Sequence, residues 1–361
     1  MSTVPRDERS VLARIEAVRR RPPRLTDEVV TLAHGAGGKA SAALVDGLFL
    51  EAFGNPVLRA RTDAAVLDPV ADGRVAVTTD SFVVQPLRFP GGSIGSLAVH
   101  GTLNDLAMVG ARPRWLAAAF VLEEGLPVAT LREVVADMAA AARSAGVPIV
   151  AGDTKVVQRG GADGMYVTTT GVGVVPHGRV LDAGAVQAGD AVLVSGTLAD
   201  HGMAVMLARG NLHLDADIRS DSAALHELAE ALLAAAPGTR WLRDPTRGGL
   251  GTVCNELARA CELAVVLDED SLPVRPQVAA ACDILGIDPL HVANEGKLVA
   301  VVPPSQAGAA LAALRAHPLG ADAAEIGRIF AEPAGMVVLR TALGGSRIVD
   351  MLTGDPLPRI C

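Results

Sequence analysis

Apolar residues recur at Leu131, Val134, Val135, Met138 and Ala142, the spacing of one face of an α-helix. Thr130 and Glu133 read as a capping box at the start of that helix. The stretch SIGSLAVHGTLNDLAMVGA, from Ser93, predicts a second helix with Ile94, Leu97, Ala98 and Gly101 on one face. Between and around them lie runs with strand character. They are RVAVTTD from Arg74, ending in a polar turn, RWLAAAFVLE from Arg114, VPIVAGD from Val147 and GMYVTTTGVGVVP from Gly164. This alternation predicts a mixed α/β class.

The pattern divides the chain. An extension at 1–28 precedes a first domain at 29–185. A second α/β domain, at 186–340, opens with GDAVLVSG from Gly189. Its expected helices fall near 200–209, 222–236, 248–261 and 305–316. Its expected strands are LAVVLDE, KLVAVVP and stretches near 324–330 and 335–340. From 341 to 361 the chain is polar and punctuated by Gly and Pro, which predicts a mobile tail; within it only SRIVD has strand character. The tail ends on Cys361, where little chain remains to enclose a thiol.

Composition narrows the possibilities. A chain of 361 residues, 50% hydrophobic and 20% charged, has ample material for a core. With aromatics at 2%, that core is built from Ala, Val and Leu. The net charge of −8 argues against nucleic-acid binding. The longest apolar run, WLAAAFVL, is far short of the roughly 20 residues that span a bilayer. Seven arginines between Arg6 and Arg24 are interleaved with Asp7, Glu8 and Glu16, and no apolar stretch of a secretory signal follows them. Four cysteines make no disulfide framework and no metal-ligand spacing; Cys254, Cys261 and Cys282 read as buried thiols, and the cytoplasm is the expected compartment.

Of 32 basic residues only three are lysines, Lys39, Lys155 and Lys297, all beside glycine-containing segments. Lysine serves where a proton must be lost, which arginine effectively never does. Lys297 also reads as a strand-opening residue that snorkels to solvent. Four aspartates, Asp63, Asp80, Asp105 and Asp153, stand at expected strand ends, turns or a helix interior. Converging carboxylates suit Mg²⁺, although each alone also reads as a turn or cap residue. HGAGG, with Gly35, Gly37 and Gly38, offers bare backbone amides to a polyphosphate, without the spacing of a Walker motif. RDPTRGGLG places Arg247 and Gly248 at a helix start, a second anion site.

These motifs carry a resemblance. HGAGG, TTDSFVVQPLRFPGG, GTLNDLAMVGARP, LEEGLP, GDTKVVQRG, VSGTLADHG, RDPTRGG, NEGKL and the ending PLPRIC follow in order from Leu32 to Cys361. Together they resemble the HypE family of hydrogenase maturation proteins, within the ATP-using superfamily of aminoimidazole ribonucleotide synthetase, thiamine-monophosphate kinase and selenophosphate synthetase. Ser93 and His100 depart from the usual Asp or Asn and Cys, and the first 28 residues have no counterpart. Lys39 falls where the family varies.

The resemblance implies an ATP-binding N-terminal domain whose sheets pair into a barrel in a homodimer. It implies an ATP-dependent carbamoyl dehydratase, in which a carbamoyltransferase, HypF, loads the Cys361 thiol. The S-carboxamide becomes an S-cyanide, which passes to iron on a HypC–HypD scaffold. On this reading Asp63, Asp80, Asp105 and Asp153 hold Mg²⁺. Gly35, Gly37, Gly38, Asn104, Asp105, Thr154, Arg247 and Gly248 contact ATP, and Lys155 and Glu295 handle the proton. From Thr341, an extended tail covers up to roughly 70 Å at about 3.3–3.6 Å per residue, with Pro356 and Pro358 stiffening its end. A small-molecule kinase or synthetase of the same superfamily, and a non-catalytic thiol carrier, are the alternatives.

Overall fold

The structure, a computed structural model, describes residues 25–36, 39–59, 65, 67, 70–210, 217–352 and 360–361. Gly37, Gly38, Asp63, Pro356, Pro358 and Arg359 lie outside these residues, as does nearly all of the N-terminal extension.

A four-stranded sheet forms the first layer. It comprises β1 (Gly73–Phe82), β2 (Arg112–Glu123), β3 (Ile149–Val157) and β4 (Met165–Pro176), in the order β1-β4-β2-β3. Only the β2–β3 pair is parallel. The strand expected to turn at Asp80 runs on to Phe82, because β4 offers a partner for every residue to that point. The stretch VPIVAGD, expected to be a buried strand, is buried at Val147, Ile149 and Val150, while Gly152 and Asp153 are exposed.

Two helices cover one face of this sheet, α1 (Ile94–Met108) and α2 (Val128–Ser144). Helix α2 presents the expected apolar stripe, with Leu131, Val134, Val135 and Met138 at or below 1% exposure. Its start differs from expectation. The N-cap is Pro127, whose ring fixes an extended entry, and Thr130 already lies inside the first turn. The capping box at Thr130 therefore does not form. Helix α1 is buried nearly all round, since it has the sheet on one side, α2 on another and the second domain on a third.

The second layer is a seven-stranded sheet. Its strands are β5 (Ala191–Val194), β6 (Trp241–Arg243), β7 (Ala264–Asp268), β8 (Val299–Val302), β9 (Ala324–Phe330), β10 (Val337–Arg340) and β11 (Ser346–Val349), in the order β11-β10-β7-β9-β5-β8-β6. AVLV and VAVV are buried at every position, as continuous apolar strands covered on both faces must be. Helices α4 (His226–Ala235) and α7 (Ala307–Ala316) pack on one face. Helix α5 (Gly249–Cys261) covers the other. Cys254 and Cys282 are buried as expected, whereas Cys261 is only half-buried.

The two domains share a core. Helices α3 (Asp200–Ala208) and α6 (Pro276–Leu285) belong to the second domain by sequence. Yet Met203, Ala204, Val205, Val278, Ala281 and Cys282 join the apolar cluster built by β2, α1 and α2. Ile360 joins it as well, 5% exposed. The tail differs from expectation at both ends. Strand β11 pairs antiparallel with β10, so the chain is held through Val349. At the other end, Cys361 is partly enclosed and packs against the shared core.

Because Thr130 caps nothing, Thr130→Ala is expected to change unfolding free energy by no more than about 0.5 kcal/mol. A true cap loses about 1 kcal/mol on the same change. Urea unfolding of the two proteins distinguishes these outcomes.

Candidate active site

Among the described residues the candidates fall into two groups, and within a single chain these do not meet.

The first group lies at the edge strand β3. Gly35, Asp153, Thr154 and Lys155 line a cavity of about 470 Å³, floored by Leu44, Phe49, Phe120 and Ile149. Gly35 is required there by proximity: a Cβ at this position would stand 2.9 Å from the Val156 nitrogen. Lys155 Nζ lies 3.4 Å from Asp153 Oδ2, with both side chains more than 60% exposed. Such a pair contributes little in water.

The second group sits where the domains join. Asp80 near the end of β1, Asp105 on α1, Asp244 after β6 and Glu295 before β8 act on one another electrostatically, with Arg247 opposing. Thr78 donates to Asp105 Oδ2 at 2.7 Å. Burial, then the charge of Asp105, raises the Asp80 carboxyl to about 6. The same two causes, in the same order, raise Asp244 to about 7. Glu295 is pushed well above its ordinary range, first by burial and then by Asp244, Asp221 and Asp80. Its Oε1 is buried without a hydrogen-bond partner among the described residues.

Strand geometry separates the two groups. Asp80 stands opposite Thr169, Thr169 opposite Ala118, and Ala118 opposite Gly152. Residues in such a row share a face, and Thr169 identifies it as the helix side through its hydrogen bond to the Ala98 carbonyl. Asp153, one residue on from Gly152, points to the opposite face. Strands β1 and β3 are also three spacings apart, about 14 Å. Asp80 and Asp105 thus converge while Asp153 does not. Lys155 is likewise absent from the groups acting on Glu295.

The RGG turn was read correctly as a helix start. Gly248 and Gly249 have φ of 73° and 61°, and a Cβ on Gly249 would meet the Leu290 and Val292 carbonyls at 2.6 Å. Only glycines allow α5 to begin here, with Arg247 turned toward the carboxylates.

Asn104 has a different role from the one expected. It is 1% exposed, and its Nδ2 donates to the carbonyls of Ala223 at 3.0 Å and Glu295 at 3.1 Å. Its Oδ1 accepts the Leu225 N–H at 2.8 Å. Both donors are used, so none remains for a nucleotide. Lys297 also differs from its expected solvent-reaching pose: it is 8% exposed, and Nζ lies 3.2 Å from Asp221 Oδ2. Asp221 accepts the N–H groups of Glu295 and Gly296 as well. Burial would raise this carboxyl, but Lys297, His201 and the backbone donors hold it below its ordinary value.

Sequence reasoning passed over Asp221 and Asp244. Asp244 lies in the same RDPTRGG motif as Arg247, and that proximity was the available signal. Among the described residues, no three His, Cys, Asp or Glu side chains gather as a metal-ligand set.

Cys361 docks at the rim of this second group. Its backbone oxygen accepts the Val83 N–H at 3.2 Å. The neighbouring Phe82 ring would touch a Cβ on Gly101, and Glu295 Oε2 lies 3.9 Å from that same point. Glu295 and the Phe82 ring thus both approach Gly101, and the backbone of Cys361 is bonded at Val83, the next residue along the chain from Phe82.

Comparison with known proteins agrees with this architecture. The AIR synthase related N-terminal domain matches residues 61–175 and the corresponding C-terminal domain matches 187–340. The carbamoyl dehydratase HypE of Cupriavidus necator is 54% identical over 341 residues, covering 94% of this chain and 97% of that protein. A crystal structure of the hydrogenase maturation protein HypE in complex with ATP superimposes with a TM-score of 0.88 at 48% identity, covering 92% and 99% of the two chains. HypE in a HypE–HypF complex superimposes at 0.75 with 47% identity, covering 86% and 100%.

Acids whose folded values are raised bind protons that the unfolded chain releases. Stability therefore falls as pH rises from about 4, through the folded values of Asp80 near 6 and Asp244 near 7. In nucleotide-free, magnesium-free buffer, Asp244→Asn is expected to flatten this decline and to raise the urea midpoint above wild type at pH 8. A midpoint with unchanged pH dependence would show that Asp244 does not carry it.

Proposed function

The chain belongs to the HypE family of carbamoyl dehydratases, and from that premise we propose how its residues convert a carbamoyl group on the Cys361 thiol to thiocyanate at the expense of ATP. The observation that carries this reading is the buried Glu295 within a cluster of carboxylates and Arg247, with the C-terminal backbone bonded at Val83, next along the chain to the Phe82 that approaches Gly101 as Glu295 does.

Removing water from a carboxamide fails unaided, because the departing oxygen is a poor leaving group. In the reaction the carboxamide oxygen attacks the γ-phosphorus of ATP and ADP departs. The N–H protons are then lost, the C–O bond breaks with phosphate carrying away the oxygen, and the C≡N bond forms. Sulfur stays bonded to carbon throughout. Phosphoryl transfer asks the protein mainly for position and charge balance. Arg247, at the N-terminal end of α5, supplies positive charge and backbone donors at one end. Gly35, Thr154 and Lys155 border the separate cavity at β3, which adds to that site only if a second copy of the chain brings the two together.

Mg²⁺ fits the carboxylates as they stand. The Asp80 carboxyl is raised partly by its unbalanced neighbour Asp105, and a cation there relieves that repulsion. Two carboxylates with nucleotide oxygens are a common Mg²⁺ set. We assign Asp80 and Asp105 to it; Asp153, on the opposite face of the sheet, joins the set only from a second copy of the chain, and Asp63, outside the described residues, is proposed as a further member. Bound there, Mg²⁺ would screen charge on the transferred phosphoryl group.

Glu295 is the stronger candidate for the proton. Burial and then the neighbouring carboxylates make its carboxylate a stronger base, and a cation bound beside Asp80 and Asp105 would restore the ionised form that accepts the N–H proton. Lys155 joins it only if another copy of the chain brings the two together. The outer face of the four-stranded sheet suits such pairing. Val75 and Val77 are 60% and 65% exposed on β1, and Asp153 and Lys155 share that face. We therefore propose a homodimer through this face, with HypF as the loading partner, a HypC–HypD scaffold as acceptor of the cyanide, and a cytoplasmic location.

Incubation with HypF, a carbamoyl donor and ATP is expected to add a carbamoyl group to the C-terminal peptide and then remove water from it, read by mass spectrometry. A small-molecule kinase would instead turn over ATP without Cys361. Glu295→Gln and Lys155→Arg are each expected to keep the carbamoyl adduct and slow its dehydration by about 10²–10⁴-fold, the usual range for a lost acid–base group. Normal thiocyanate formation by either variant would remove that residue from the proton path. Val75→Lys with Val77→Glu is expected to shift the protein toward monomer in light scattering.

A further inference from the structure

We infer that His201 is a positioning residue that latches the C-terminus at the active site, through a hydrogen bond from its Nε2–H to the carbonyl oxygen of Ile360. The inference rests on the reading of Cys361 as the carrier of the reacting group.

His201 lies in the first turn of α3 and is fully buried. The Phe89 ring packs edge-on against it, with centroids 5.4 Å apart, so its plane is set by packing. Its two nitrogens have different partners. Nδ1 lies 2.8 Å from Ser220 Oγ, and Nε2 lies 2.7 Å from the Ile360 oxygen. A carbonyl oxygen only accepts, so Nε2 must carry the hydrogen. Ser220 Oγ accepts the N–H of Ser222 at 3.1 Å, which leaves its own hydrogen to point at Nδ1. The series runs in one direction, from the Ser222 amide through Ser220 and His201 to Ile360. It is complete with a neutral ring, and burial lowers the proton affinity of His201.

One loop registers the tail and the catalytic acid together. Ser220 orients His201, while Asp221 accepts the N–H groups of Glu295 and Gly296 and pairs with Lys297. Across the tail, the Val83 N–H holds the Cys361 oxygen. Ile360 itself is buried, but apolar burial has no direction. The two hydrogen bonds, one on each of the last two residues, give the backbone that carries the thiol a defined place.

The latch must also release, because a thiol held at the domain junction is out of reach of a loading enzyme. A neutral imidazole on a neutral carbonyl suits this, being weaker than an ion pair.

The test separates loading from dehydration. His201→Leu keeps the bulk and loses the donor; His201→Gln returns an N–H. With HypF and a carbamoyl donor, His201→Leu is expected to acquire the carbamoyl group at least as fast as wild type. It should then lose water roughly tenfold or more slowly, the scale of an unpaired buried carbonyl, and His201→Gln should recover part of that rate. Hydrogen exchange supplies a readout independent of turnover: the Val83 amide loses protection in His201→Leu while amides of the central strand β8 keep theirs. Wild-type dehydration together with an unchanged Val83 amide would overturn the latch, as would protection lost uniformly across the protein. If wild type itself formed no thiocyanate, the functional reading would fail, and the Val83 amide would still decide the latch.

Discussion

The position of helix α1 rests on one buried carboxamide. Asn104 binds the Ala223 and Glu295 carbonyls and the Leu225 amide, and so ties the helix to two separate segments of the second domain. An error of one turn in α1 would carry Asp105 away from Asp80 and leave three backbone groups unsatisfied in the interior. Each such loss costs roughly 1–3 kcal/mol. The carboxylate cluster exists because this clamp enforces it. Carboxylates left to themselves would separate, and here desolvation and mutual repulsion raise Asp80, Asp244 and Glu295 instead.

Strand alternation imposes a second constraint. Asp80 and Asp153 belong to one sheet, yet the pleat sends them to opposite faces. No side-chain rotation brings them together, so a site that uses both groups has to be completed from outside the single chain. The exposed valines of β1 share a face with Asp153 and Lys155, which makes that face the natural place for a second copy to add what is missing. Catalysis and assembly are then linked through the register of four strands.

Much of this was legible in the sequence, and the failures have a common cause. Periodicity placed α1, α2 and the four strands of the first sheet, because each is long and its apolar residues lie close together along the chain. The hydrophobic spacing of α2 held even though its cap did not, since a cap depends on the backbone entering the helix and Pro127 sets that. Strand β6 has three residues, too little for a pattern. The resemblance implies a nucleotide contact at Asn104, whose actual partners lie 119 to 191 residues away and leave no trace in the adjacent sequence. Lys297 was taken for a surface residue because Asp221 is equally invisible from its neighbours. The glycine pair at 248–249 was read well, as positive φ at a helix start is a local requirement. Local physics was readable, whereas polar partnerships formed by the meeting of two domains were not.

The tail follows the same division. Composition suggested a free arm from residue 341, but pairing with β10 holds the chain through Val349. That leaves twelve residues to Cys361, an extended reach of about 40 Å. On the proposed role of Cys361 as carrier, a shorter tether raises the effective concentration of its thiol at any site within reach. It also limits how far a loading partner can stand from the domain junction. The burial of Ile360 opposes departure, and the release of conformational freedom favours it. With the two terms opposed, a pair of directional hydrogen bonds is enough to decide whether the last two residues stay docked at the domain junction. The chemistry at Cys361 is thus governed by the same kind of contact that positions Asn104, a buried polar group whose only alternative is to go unpaired.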